Sequence, residues 1–103
     1  MQISMTFRHM DASDAMKELV NEKIAKIKKY LHGPIDATVV LSVERYLQNC
    51  DITISANGHT YKGHEESSDM YTSIDKVMEK IERQIDKDKS KKVAGRTAGL
   101  VQP

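Results

Sequence analysis

DMYTSIDKVMEKIERQIDKDKSKK, residues 69–92, sorts its side chains into three stripes when wound at about 100° per residue. Met70, Ile74, Val77, Ile81 and Ile85 share one face, a run that must be buried against something. Lys76, Lys80, Arg83, Lys87 and Lys91 form a second stripe at the same rhythm, and Asp75, Glu79, Glu82 and Asp86 form a third. A cationic ridge kept apart from its acids offers evenly spaced charges to a polyanion. Read from this helix alone, a solvated face tied down by i,i+4 pairs such as Glu79–Arg83 accounts for the stripe equally well.

The 103 residues are enough for one domain with one modest core. Hydrophobic residues make up 39% and charged residues 30%, which is globular rather than disordered composition. No apolar run approaches a membrane span, and the amino terminus carries no signal-peptide pattern. The single cysteine, Cys50, cannot make an internal disulfide. A cytoplasmic protein without membrane association is the expectation. The net charge of +1 hides an uneven distribution. Residues 13–31 carry five Lys against three acids, residues 32–66 two bases against five acids, and residues 89–103 four bases against none. Such local fields govern nucleic-acid affinity more than the total does.

Ahead of the long helix, residues 2–8 alternate apolar Ile3, Met5 and Phe7 with polar neighbours, the pattern of a half-buried strand. Asp11 or Ser13 can cap a first helix, on which Met16, Leu19, Val20, Ile24, Ile27 and Leu31 recur at helical spacing until Gly33-Pro34 stops it. Residues 35–46 form a second strand, 46–49 a connection and 50–56 a third strand, with Cys50 on its inward phase. Asn57-Gly58 predicts a tight primed hairpin turn. Residues 59–64 make the weakest strand, its apolar content being little more than Tyr61. Ser67 or Ser68 caps the final helix, which ends at Gly95 at the latest, and residues 93–103 make a flexible basic tail. The expected fold is an α+β two-layer sandwich of order βαβββα, a four-stranded sheet with two helices on one face. Residues 1–92 form its single domain.

The segments Asp69-Met70-Tyr71-Thr72, Ile74-Asp75 and Lys80-Ile81-Glu82-Arg83-Gln84 resemble the signature helix of the ribosome hibernation-promoting factors, also called ribosome-associated inhibitor or sigma-54 modulation proteins. The opening strand, the first helix and residues 39–44 fall in register with that family, so the resemblance covers about residues 2–92. It implies a domain similar to double-stranded RNA-binding domains. It also implies a factor that binds rRNA in the decoding channel of the small ribosomal subunit, blocking mRNA and tRNA and inhibiting translation in stationary phase or stress. The family's basic positions map to Lys23, Lys26 and Lys29 on the first helix. On the second they map to Lys80, Arg83 and Lys87, with Lys76 on the same stripe and Lys91 and Lys92 continuing it. The match is to a short-form factor or to the amino-terminal part of a long one, and the tail VAGRTAGLVQP departs from the acidic tail of the inhibitor-type members. The rival readings are a protein-interaction modulator of transcription and a generic double-stranded RNA binder.

Catalysis has no foothold, since neither a phosphate-cradling glycine loop nor a nucleophile elbow nor a dinucleotide fingerprint occurs. No cofactor, small-molecule substrate or metal is expected. His59, His64, Glu65 and Glu66 make at most a weak ligand set, without recognised metal spacing. Tyr46 and Tyr71 are read as edging the core, base stacking being the rarer use. Lys17 and Lys28 are read as solubilising.

Overall fold

The computed structural model describes residues 1–97, with side chains as far as residue 88. Its elements run β1 (Gln2–Arg8), α1 (Asp14–Lys28), β2 (Ile35–Glu44), β3 (Leu47–Ala56), β4 (His59–Ser67) and α2 (Met70–Thr97). The strands lie in the order β1-β2-β3-β4. β1 pairs parallel with β2, a geometry that needs a crossover, and α1 supplies it. β2, β3 and β4 form an antiparallel meander. This is the expected α+β sandwich of order βαβββα.

Alternation along the strands sends one set of side chains into the core. Val39, Leu41, Ile52 and Ile54 are fully buried against Val20 and Ile24 of α1 and Ile74, Val77 and Ile81 of α2. The opposite sheet face is a largely polar grid. Rows across it read Gln2, Asp36, Ser55, Thr60, then Ser4, Thr38, Thr53, Lys62, then Thr6, Val40, Asp51, His64.

Several boundaries differ from those expected. α1 ends at Lys28 with Lys29 as its C-cap, short of Leu31, because the chain turns toward Gly33, which sits at φ 77°. No four-residue connection separates β2 from β3. Glu44 pairs with Leu47 across a two-residue turn, in which Arg45 adopts φ 60°, so β2 stops before Tyr46 and β3 starts three residues early. Asn57 and Gly58 both take positive φ, as a primed turn demands. β4 continues past His64 to Ser67 although its apolar content is low. α2 supports it from the side: the Gln84 side-chain amide accepts a hydrogen bond from the Lys62 N–H at 3.1 Å and donates one to the Lys62 carbonyl. Lys80 Nζ donates to the His64 carbonyl at 3.1 Å. These contacts occupy backbone groups on the outer edge of β4, which would otherwise invite pairing with another chain. α2 also runs through Gly95 to Thr97, because a glycine inside a helix weakens it without ending it. The basic tail expected from residue 93 lies, from residue 98 onward, outside the described residues.

Gly63 sets how closely α2 approaches β4. A Cβ at this position would meet Val77 Cγ1 at 3.0 Å and the Val77 carbonyl oxygen at 3.4 Å. Gly63→Val is therefore expected to destabilise the fold by about 2 kcal/mol through overpacking, read as a lower urea midpoint with an unchanged slope.

Candidate nucleic-acid interface

The start of α2 is fixed by side chains of the motif singled out in the sequence. Asp69 caps the helix, accepting from the Thr72 N–H at 3.0 Å and from the Thr72 hydroxyl at 2.9 Å. The cap is thus Asp69 and not Ser67 or Ser68. Ser67 plays a neighbouring part: its hydroxyl lies 2.7 Å from the hydroxyl of the buried Ser73, which in turn donates to the Gln48 carbonyl on β3 at 2.7 Å. Met70 and Ile74 are buried. Most of the motif therefore clamps α2 on the sheet in a fixed rotation, and that rotation determines where the charged stripes point.

Asp75, which opens the acidic stripe, faces α1. Lys23 on α1 and Asp75 on α2 form an ion pair of 2.6 Å, so the two helices lie side by side with this bridge in the seam. The basic stripe turns the other way, toward the outer edge of β4. Lys80 sits 2.6 Å from Glu65 of that strand, and Lys76 lies close enough to act electrostatically on the same carboxylate. The hydrogen bond from Lys80, outweighing partial burial and aided by the charges of Lys80, Lys76 and His64, holds the Glu65 carboxyl below its usual range. The cations of the two helices are accordingly separate: Lys23, Lys26 and Lys29 on one side of the α2 acids, Lys76, Lys80, Arg83 and Lys87 on the other.

Pairing within the chain leaves most of these cations available. Among the described residues Lys26, Lys76 and Lys87 have no ion pair, and Lys29 lies 5.3 Å from the centre of the Tyr30 ring. Arg83 reaches Glu79 at 3.6 Å, with both side chains more than half exposed. Such a surface i,i+4 pair is worth only about 0.3–0.5 kcal/mol and gives way readily to a phosphate. Lys23 and Lys80 are the two held by close carboxylates. The side chains of Lys91 and Lys92 lie outside the described residues.

Three further polar groups sit on β4, His59 on the face that carries α2 and Lys62 and His64 on the polar face of the sheet. Lys62 projects outward from β4, a position readable from its alternation with Tyr61 but masked by the weakness of the strand. His64 Nδ1 lies 2.8 Å from Asp51 Oδ1 on β3, and His59 Nδ1 lies 3.2 Å from Asp88 Oδ2 on α2. Asp88 also accepts a 2.8 Å hydrogen bond from the Tyr61 hydroxyl, and burial together with this acid pushes that phenol up to about 12. Two shallow grooves follow the edge, of about 510 Å³ beside Lys62, His64 and Lys80 and about 230 Å³ beside His59, Lys87 and Asp88. Among the described residues no cluster of three or more His, Cys, Asp or Glu could hold a metal ion.

Tyr46 and Tyr71 do not edge the core. Tyr46 occupies the β2–β3 turn and is 79% exposed, and Tyr71 is 46% exposed on the outer side of the first turn of α2. A two-residue turn leaves its side chains no core to reach, and the capping geometry points position 71 away from the sheet. Cys50 is buried as expected, and burial, with the charge of Asp51 adding to it, pushes its thiol up to about 12. No helix among the described residues is long and apolar enough to cross a membrane.

Fold and surface together define a small two-layer α+β domain that presents a long cationic helix along one open edge of its sheet. The chain belongs to the sigma 54 modulation protein / S30EA ribosomal protein family, whose model matches residues 3–93. Among its relatives, the ribosome hibernation promoting factor of Escherichia coli (strain K12) is 34% identical over 91 residues, spanning 88% of this chain and 96% of the relative. The factor of the same name from Azotobacter vinelandii is 29% identical over 93 residues, 90% of this chain and 87% of the relative. Two solved structures are similar. A ribosomal subunit interface protein from Coxiella burnetii matches with a TM-score of 0.75 and 28% identity, over 87% of this chain and 99% of that one. The Protein Y N-terminal domain of Thermus thermophilus matches with a TM-score of 0.78 and 27% identity, over 84% and 98%.

Proposed function

We propose that this chain is a non-catalytic ribosome hibernation factor of the cytoplasm. In this reading it binds rRNA in the decoding channel of the small ribosomal subunit and excludes mRNA and tRNA by occupying their place. The observation that carries the reading is the basic stripe of α2, clamped in rotation by Asp69 and Ser73 and turned to an open edge, where Lys76, Arg83 and Lys87 face solvent. Side chains three and four apart on one helix face reach neighbouring phosphates of a folded RNA. A fixed helix loses less freedom on binding than a disordered basic arm does. Lys26 and Lys29 supply a second set of contacts from α1, and Lys91 continues the α2 rhythm with Lys92 next to it in the chain. Lys23 keeps its bridge to Asp75 and thereby holds the helices in register as a unit.

Recognition of this kind rests on shape and phosphate position rather than on base edges. Inhibition follows by mass action, since the protein and its competitors share one site. The test is co-sedimentation with isolated small subunits. The protein is expected to pellet with them at low salt and to leave them at high salt, with roughly 0.7–0.9 units of log–log slope for each phosphate contacted. Equal binding to any RNA duplex would support the generic duplex binder instead, and failure to pellet at low salt would remove the reading.

A further inference from the structure

The chain has four tyrosines and one phenylalanine, and most of these rings have a structural duty. Phe7 packs against the core, Tyr61 is buried with its hydroxyl on Asp88, and Tyr30 meets the Lys29 ammonium. Tyr46 and Tyr71 have no such duty. Both face solvent, and among the described residues neither hydroxyl makes a hydrogen bond. One exposed tyrosine is ordinary, but these two share a place. The Ser73 hydroxyl, donating to the Gln48 carbonyl at 2.7 Å, fixes the first turn of α2 over the start of β3. Tyr71 lies two residues before Ser73 and Tyr46 two residues before Gln48, so both rings stand at the same end of the domain, with partly exposed Leu47 next to Tyr46. From this juxtaposition we infer that Tyr46 and Tyr71 form an aromatic stacking site for unpaired RNA bases. The inference rests on the rRNA reading above and adds contacts to base faces to an interface otherwise made with phosphates.

An unpaired base that has left its stack exposes flat π faces to water, and a tyrosine ring covers one of them. Every base has such a face, so stacking tolerates any sequence and agrees with recognition that ignores base edges. The backbone under both rings is held. Tyr46 sits in the two-residue turn between the paired Glu44 and Leu47, and its neighbour Arg45 is kept at φ 60°, a left-handed conformation that strains a residue other than glycine. Tyr71 sits on a first turn capped by Asp69 and clamped through Ser73. Rings carried on fixed backbone lose little freedom when a base settles on them.

Continuity with the basic stripe favours RNA as the occupant. Lys76, the first cation of that stripe, follows Tyr71 by five residues, about 7.5 Å of helix rise. An RNA chain whose phosphates lie on the stripe therefore extends past this end of α2. Arg45 is exposed and has no ion pair among the described residues, so its guanidinium is free to meet the phosphate of a stacked nucleotide. The charges at this end nearly cancel, with Arg8 and Arg45 against Glu44, Glu66 and the capping Asp69. Binding by the two rings accordingly depends on stacking and little on salt, which separates it from the contribution of the lysines.

The test measures affinity for isolated small ribosomal subunits across a salt series, for the wild type and for variants at Tyr46 and Tyr71. Tyr46→Ala and Tyr71→Ala are each expected to weaken binding roughly tenfold at every salt concentration. The log–log salt slope is expected to stay at the wild-type value, because no phosphate contact is lost. Tyr46→Phe and Tyr71→Phe keep the ring and are expected to bind as the wild type does. Tyr46→Leu and Tyr71→Leu keep an apolar side chain without a ring and are expected to behave like the Ala variants. The melting temperature should be the same for all six, since both side chains are exposed. Leu variants that bind as tightly as the wild type would reveal a plain apolar contact, such as one with a ribosomal protein, and would overturn the inference. Ala variants with wild-type affinity would overturn it too, while leaving the rRNA reading in place. Absence of wild-type binding even at low salt would remove both.

Discussion

Replacing Lys80, Arg83 and Lys87 together by Glu is expected to lower affinity for the small subunit by at least a thousandfold. Each charge-assisted contact to a phosphate contributes roughly 1.5–3 kcal/mol, so losing three removes about 4.5 kcal/mol or more before the new repulsion is counted. The salt dependence should fall by roughly 2–3 units of log–log slope, because three fewer phosphates are neutralised. Lys80 has a second duty, since it bridges Glu65 and the His64 carbonyl. Lys80→Glu sets two carboxylates against each other, so helix content by circular dichroism and the melting temperature belong beside the binding measurement. The control is Lys17→Glu with Lys28→Glu, exposed α1 residues off the proposed surface, which should change affinity little. Equal loss in both variants would mean that net charge, not the α2 stripe, governs binding.

The second large effect is on stability. Ile81→Ala is expected to cost about 3–4 kcal/mol, because Ile81 is fully buried in the middle of α2 and packs over the place where Gly63 lets the helix come close. For a domain of this size that corresponds to a melting temperature lower by roughly 15 °C. Neighbouring Gly63 and Val77 are backbone-defined and branched, so the site has little freedom to collapse around the cavity. A loss under 1 kcal/mol in urea titration would mean that α2 does not hold the position described here.

The sheet and both helices were legible because period-2 and period-3.6 patterns dominate the stretches that form them. The inward faces of β1, β2, β3 and α2 follow those patterns, with Asn49 on β3 and Ser73 and Met78 on α2 buried in addition. Boundaries were less legible where tertiary contacts override local composition. β4 carries few apolar residues, and what sustains it to Ser67 is the Gln84 amide and Lys80 on another element, which no window of β4 sequence contains. The Arg45–Tyr46 turn was hidden because neither residue is a usual turn former, and Arg45 takes a positive φ without being glycine.

The cationic side chains were readable, but their grouping was not. A projection of one helix shows that basic and acidic stripes are separate. It does not show which stripe faces the neighbouring helix. The Lys23–Asp75 and Lys80–Glu65 bridges answer this: Asp75 meets α1, and Lys80 turns to the β4 edge. For the same reason Lys62 escaped notice, since it comes beside Lys80 of the basic stripe only once β4 and α2 are packed. The short motif at residues 69–75 also proves to be largely a clamp, through Asp69 and Ser73, with Tyr71 left facing outward.

The buried thiol of Cys50, the only cysteine, permits selective labelling at an introduced one. An iron chelate tethered at Arg83→Cys on α2, and separately at Ser55→Cys on the polar sheet face, generates hydroxyl radicals that cut RNA nearby. In complexes with small subunits, rRNA cleavage is expected from the α2 position and little or none from the sheet. Cleavage from Ser55→Cys with none from Arg83→Cys would contradict the orientation proposed here.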